Sequence, residues 1–97
     1  MDARRIIEEM AGRYVWWRSA AEAAAMPDRV ILQVMDIGDW EDVQALADAL
    51  GDDRLRAALS RAEAGQLRPK SWAYWHYRLG LAASPDELPP MPRRMFS

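Results

Sequence analysis

Cysteine is absent from this sequence, which excludes disulfides and thiolate metal sites and fits a reducing cytosol. Long apolar runs are missing too. Uninterrupted stretches such as Ala23 to Met26 fall far short of the ~20 residues a membrane span needs. The opening MDARRIIEEM places Glu8 and Glu9 where a signal peptide carries its apolar run, so the expectation is a soluble, cytoplasmic protein. Histidine occurs once, as His76, with no carboxylate three or four positions away. With no thiol, no glycine-rich phosphate loop and no histidine paired to an acid, nucleophilic catalysis has no base. The residues predict a chain that is not an enzyme and takes no cofactor.

What is present is a one-domain chain of 97 residues, 51% hydrophobic and 29% charged, a globular rather than disordered balance. Its net charge is only −2, but the charge is unevenly placed. Residues 36–53 carry seven acids and no base, whereas residues 54–97 carry eight bases against three acids. Helix N-termini attract carboxylates, and that preference accounts for much of the acidic stretch; the remainder would steer a charged partner. The cluster Asp36, Asp39, Glu41 and Asp42 reads as caps and a first helical turn rather than as a cation site, since it lacks a binding-loop pattern.

Helix punctuation recurs along the chain, while strand signals are confined to Tyr14–Trp17, too short for a sheet. Asp2 opens a first helix with Ile6, Ile7 and Met10 on one face, ahead of Gly12. Ser19 and Glu22 form a capping box for a short alanine-rich helix running to Met26. Pro27 starts a third helix with Val30, Ile31, Val34 and Met35, closed by Gly38. Asp39 caps Trp40–Leu50, and Gly51 ends it; Asp52 or Asp53 caps Arg54–Ala64, and Gly65 ends that. Pro69 starts an aromatic helix that stops at Gly80.

The expected fold is therefore all-α, a compact bundle of five or six short helices with an extended Pro-rich C-terminal tail. Residues 1–81 form the single helical domain and 82–97 the tail, which contains four of the six prolines. Leu88, Met91, Met95 and Phe96 favour a tail laid over the body. The expected core is Trp40, Val43, Leu46, Leu50, Leu55, Leu59, Trp72, Trp75 and Leu79.

The stretch WAYWHYRLGL, residues 72–81, raises the functional question, because a helix buries only one stripe of such a surface. At about 100° per residue, Trp72, Trp75, His76 and Leu79 share one face, while Tyr74 and Tyr77 point away from it beside Arg78. Tyrosine, tryptophan and arginine dominate interface hot spots. Tyr74, Tyr77 and Arg78, the acids Asp39, Glu41 and Asp42, and Met91, Arg93 and Arg94 of the tail are the candidate partner-binding residues. Two alternatives stay open for the tyrosines: the chain's own tail covers them, or they join two copies in a homo-oligomer. A DNA-binding reading treats Arg54–Ala64 and the helix Lys70–Leu79 as a helix-turn-helix with Arg68, Lys70 and Arg78 near phosphates and Arg54, Arg56 and Arg61 as further cations. An acidic chain with an apolar recognition helix fits that role poorly.

Residues 30–59, VILQVMDIGDWEDVQALADALGDDRLRAAL, followed by LRPKSWAYWHYRLGL at 67–81, carry a further pattern. Its elements are the junction Val34–Val43, the junction Leu50–Arg56 and the helix start Arg68–Trp75, with Tyr14–Arg18 and Pro89–Arg94 outside them. Taken together they resemble a family of small bacterial antitoxin-like proteins encoded beside AbiEii-type nucleotidyltransferase-fold toxins. The resemblance implies an all-helical, non-enzymatic antitoxin that neutralises its toxin by direct contact or through the toxin's substrate. One departure stands out: Arg68 occupies the place where that family has a serine N-cap, so the expectation is either that Ser71 takes over some of the capping or that the helix starts later.

Overall fold

The computed structural model describes residues 3–93. Six helices and one 3₁₀ turn make up the regular structure of those residues, with no strand among them. The helices are α1 (Ala3–Tyr14), α2 (Ala20–Ala24), α3 (Pro27–Ile37), α4 (Trp40–Leu50), α5 (Asp52–Ser60) and α6 (Pro69–Arg78). The all-α bundle of short helices expected from the sequence is the architecture found. Among the described residues, no helix is long and apolar enough to cross a membrane.

Helix α3 is the hub, touching each of the other five helices. It earns that place by burying Val30, Ile31, Leu32, Val34 and Met35, nearly half its length. Pro27 sits in its first turn, and Gly38 closes it with an N–H bonded to the Val34 carbonyl at 2.7 Å. Glycine is required at 38 for space: any Cβ there would collide with that same carbonyl. Ile6 and Met10 of α1, Leu46 of α4, Leu55 and Leu59 of α5, and Trp75 of α6 complete the core around it.

Several boundaries move from their expected places. Asp2 lies outside the described residues, and α1 continues through Gly12 to Tyr14, its ladder running on to the Val15 N–H. The strand-like Tyr14–Trp17 run is thus a helix end and a turn, with Val15 buried and Trp16 and Trp17 exposed. Ser19 does cap α2, accepting the Glu22 N–H at 3.1 Å, but the helix stops at Ala24 because Met26 must leave the helical region ahead of Pro27. Gly51, at φ +82°, serves as both the end of α4 and the N-cap of α5, so Asp52 and Asp53 fall inside the first turn of α5. Helix α5 ends at Ser60, not Ala64. The chain departs at Arg61, whose guanidinium is bound to Asp28 at the start of α3.

The expected core needs one correction of substance. Trp40 is 65% exposed. It lies roughly 110° around α4 from the centre of the arc defined by buried Asp42, Val43 and Leu46. Leu50 is half-buried at the same helix's far end.

Helix α6 closes in a Schellman motif. The Leu81 N–H reaches the His76 carbonyl at 2.9 Å and the Gly80 N–H reaches that of Tyr77 at 3.2 Å, with Gly80 at φ +73°. After the 3₁₀ turn Pro85–Glu87 the chain extends back across the body. The Trp72 indole N–H donates to the Pro89 carbonyl at 2.9 Å, and Met91 packs against the core. The described part of the tail, through Arg93, is therefore a strap, and it crosses Trp72 rather than the tyrosines; Met95 and Phe96 lie outside the described residues.

Candidate partner-binding face

The outer side of α6 meets the start of α4 in an aromatic face centred on Arg78. Its guanidinium carbon lies 4.8 Å from the Trp75 ring centroid, 5.7 Å from Trp40 and 6.0 Å from Tyr74. Nη1 donates to the Tyr74 hydroxyl at 3.1 Å and Nη2 to Gln44 Oε1 at 2.6 Å. No carboxylate pairs with Arg78 among the described residues. The cation is held in place by rings and neutral acceptors, with its charge left unneutralised.

Around it the surface stays open. Tyr74 is 44% exposed and Tyr77 40%, even with the strap in place, and Ile37, just ahead of Trp40 in the chain, is exposed as well. A hollow of about 360 Å³ is lined by Met35, Gly38, Trp40, Lys70, Tyr74 and Trp75. That is the small end of the range for binding pockets, room for an inserted side chain rather than a large ligand. Its floor is rigid because the Trp75 indole N–H donates to the Met35 carbonyl at 2.8 Å.

The sequence candidates divide on this structure. Tyr74, Tyr77 and Arg78 share the outer side of α6. Asp39 is exposed but occupied as a cap, accepting the Asp42 N–H at 2.9 Å. Glu41 is exposed, and with Ala45 and Asp48 it forms an open stripe at i, i+4 and i+7, followed by exposed Asp52 just past the end of α4. Asp42, by contrast, is buried. Its carboxylate takes Arg13 on one oxygen and the Tyr14 hydroxyl on the other, the latter at 2.6 Å, which ties α1 to α4. Burial, and then the hydrogen bond to that carboxylate, raise the Tyr14 hydroxyl above its ordinary value. Met91 is half-buried in the strap, Arg93 is exposed, and Arg94 lies outside the described residues.

Asp36 is not a helix cap either. Burial alone would raise its carboxyl, but the Arg68 backbone N–H, the Ser71 hydroxyl and the Arg68 guanidinium hold it below the usual range. Arg68 also reaches the Asp36 carbonyl at 2.8 Å, so the residue standing in the N-cap position clasps α3 instead of capping α6. Asp28 likewise sits below its ordinary value, chiefly through Arg61 and then through Arg54 beside it, which together outweigh burial. Of the six cations named for a DNA contact, Arg54, Arg56, Arg61 and Arg68 are in ion pairs among the described residues, leaving Lys70 and Arg78.

Sequence reasoning missed Trp40 at this face. The available signal was position: Trp40 follows the Gly38–Asp39 junction, where a helix end has few neighbours to bury a side chain. No family model, no curated protein and no solved structure matches this chain.

Proposed function

We propose that this chain is a non-enzymatic interaction protein, the antitoxin of a toxin–antitoxin pair, which neutralises a nucleotidyltransferase-fold toxin by direct contact. The observation that carries the reading is the exposed aromatic face of Trp40 and Tyr74 around Arg78, which no carboxylate pairs among the described residues, with Tyr77 exposed on the same side of α6. Desolvated aromatic and arginine anchors contribute most of the binding energy at protein interfaces. Glu41 and Asp48 lie along the same helix as Trp40, with Asp52 just beyond its end, and give the face an electronegative flank. An enzyme that binds nucleotide or RNA phosphates carries basic surface, and such a flank complements it and speeds encounter. The sequence resemblance to antitoxin-like proteins points to the same partner.

A DNA-binding regulator is the less supported reading. Eight residues, 61–68, separate α5 from α6, longer than the three or four of a helix-turn-helix, and Arg54, Arg56, Arg61 and Arg68 are engaged in ion pairs within the fold. The test is co-expression with the nucleotidyltransferase-fold protein encoded by the adjacent gene. Co-purification of the two and relief of growth arrest are the expected result. Growth arrest that persists with no complex formed would overturn the reading.

A further inference from the structure

The strap across Trp72 contains a second recognition geometry, on the opposite side of α6 from Trp40 and Tyr74. A cleft of about 940 Å³ opens between α5, α6 and the tail, walled by Leu59, Trp72, His76 and Leu81 and by Pro89, Pro90 and Pro92. Extended proline-rich chain has no internal hydrogen bonds, so its carbonyls are free to accept from a partner. Grooves that recognise it supply a flat aromatic surface and a donor aimed at one of those carbonyls. Trp72 supplies both here: its ring walls the cleft and its indole N–H meets the Pro89 carbonyl at 2.9 Å. Leu88 enters the segment at φ −66° and ψ 126°, in the polyproline region.

The platform is built in advance. His76 is buried, its ring lies 4.3 Å from that of Trp72, and its Nδ1 is 2.7 Å from the Trp72 carbonyl one turn back. This fixes the imidazole against the indole and gives the lone histidine a positioning role. The strap, in contrast, is lightly held. Among the described residues no ion pair joins 82–93 to the body, and Pro89 and Pro90 are not buried. Among the described residues its hold consists of the Ala82 N–H bond to the His76 carbonyl at 3.2 Å with Ala82 buried, the Trp72–Pro89 bond and the packing of Met91. The 3₁₀ turn is closed by the Ala83 N–H, which donates to the Glu87 carboxylate at 2.6 Å.

We propose that the Trp72–His76 surface of α6, at the edge of this cleft, is a recognition site for an extended proline-rich segment of a partner protein, and that residues 88–92 lie on it in cis as a resident competitor, forming one wall of the cleft. The partner is defined by chemistry: an extended run of prolines presenting one carbonyl to the Trp72 indole. The site is independent of the antitoxin reading, which uses the other side of α6.

The experiment is a titration of the full chain, with indole nitrogens labelled, by a peptide copying residues 88–93. The Trp72 indole resonance should shift saturably while that of Trp40 stays in place. In the full chain carrying Pro89→Gly and Pro90→Gly, the strap loses its stiffness, the open fraction rises, and the peptide should bind about fivefold tighter. The same peptide with alanine for each proline should bind about tenfold weaker or more. Neither replaced proline belongs to the buried core, and an unshifted Trp75 resonance checks that the variant stays folded. A Trp72 signal unmoved by millimolar peptide in both chains would overturn the proposal and make the strap a fixed part of the fold. Sedimentation that shows the chain dimerising by tail exchange would overturn it too, because the occupant would then be a second copy.

Discussion

The two sides of α6 are built from the same residue types and meet opposite fates. Trp75 and Tyr74 are neighbours in sequence, their rings stand edge to face at 5.3 Å, and both touch Arg78. Yet Trp75 is 1% exposed and Tyr74 44%. The inner side finds partners for its polar atoms within the chain: Met35 for the Trp75 indole, Pro89 for that of Trp72, and the helix backbone for His76. On the outer side, among the described residues, the Tyr74 hydroxyl bonds to Arg78 and Arg78 to Gln44, and the tyrosines stay exposed. Aromatic content therefore does not mark an interface. What marks it is an aromatic side chain whose burial the chain itself leaves undone.

Four perturbations bear on that contrast, in falling order of expected effect. Trp75→Ala should lose about 3–5 kcal/mol, a large share of a small domain's stability, read from urea unfolding. A loss below about 1 kcal/mol would mean that the inner side is not the anchor of the fold. Tyr14→Phe removes the donor to buried Asp42 and the acceptor of the Asp39 N–H at 3.1 Å. It should lose about 1–2 kcal/mol by the same measurement and loosen the start of α4 on which Trp40 is mounted.

Acid supplies the third. The Asp28 and Asp36 carboxyls are held below their ordinary values in the fold. Each lowered value stabilises the fold above the unfolded carboxyl pKa of about 4 and is lost as pH falls through the folded one. Asp28→Asn should therefore lower stability at neutral pH and make its decline below about pH 4 shallower, measured by thermal unfolding across pH. An unchanged acid slope would show that the α3–α5 clasp is not coupled to folding. The smallest effect belongs to Trp40→Ala, which should change stability by less than about 1 kcal/mol, since little more than its stacking on Arg78 is lost.

Helical phase makes much of this contrast legible in the sequence itself. The division of residues 72–79 into Trp72, Trp75, His76 and Leu79 against Tyr74 and Tyr77 follows from spacing alone, and the burial matches it. Helix starts at Pro27, Trp40 and Pro69 are equally readable, because proline and aspartate act locally. The features that escape such reading depend on contacts distant along the chain. Asp42 looks like any first-turn acid until α1 brings Arg13 and Tyr14 to it, at separations of 29 and 28 residues. Arg68 looks like a missing cap until Asp36 receives it, and Trp40 looks like core until its phase is set against the real neighbours of α4. The direction of the strap is of the same kind: proline content foretells an extended tail but not which ring it crosses.

The central claim is that the outer side of α6 is held open for a partner while the inner side holds the fold. Its most direct test is calorimetric titration of the nucleotidyltransferase-fold toxin proposed as its partner with the chain carrying Trp40→Ala and Tyr74→Ala. Affinity at least about 30-fold below that of the unchanged chain, with an unfolding temperature within about 3 °C of it, is the predicted result. Undiminished binding by a variant that remains folded, or loss of the fold itself, would contradict it.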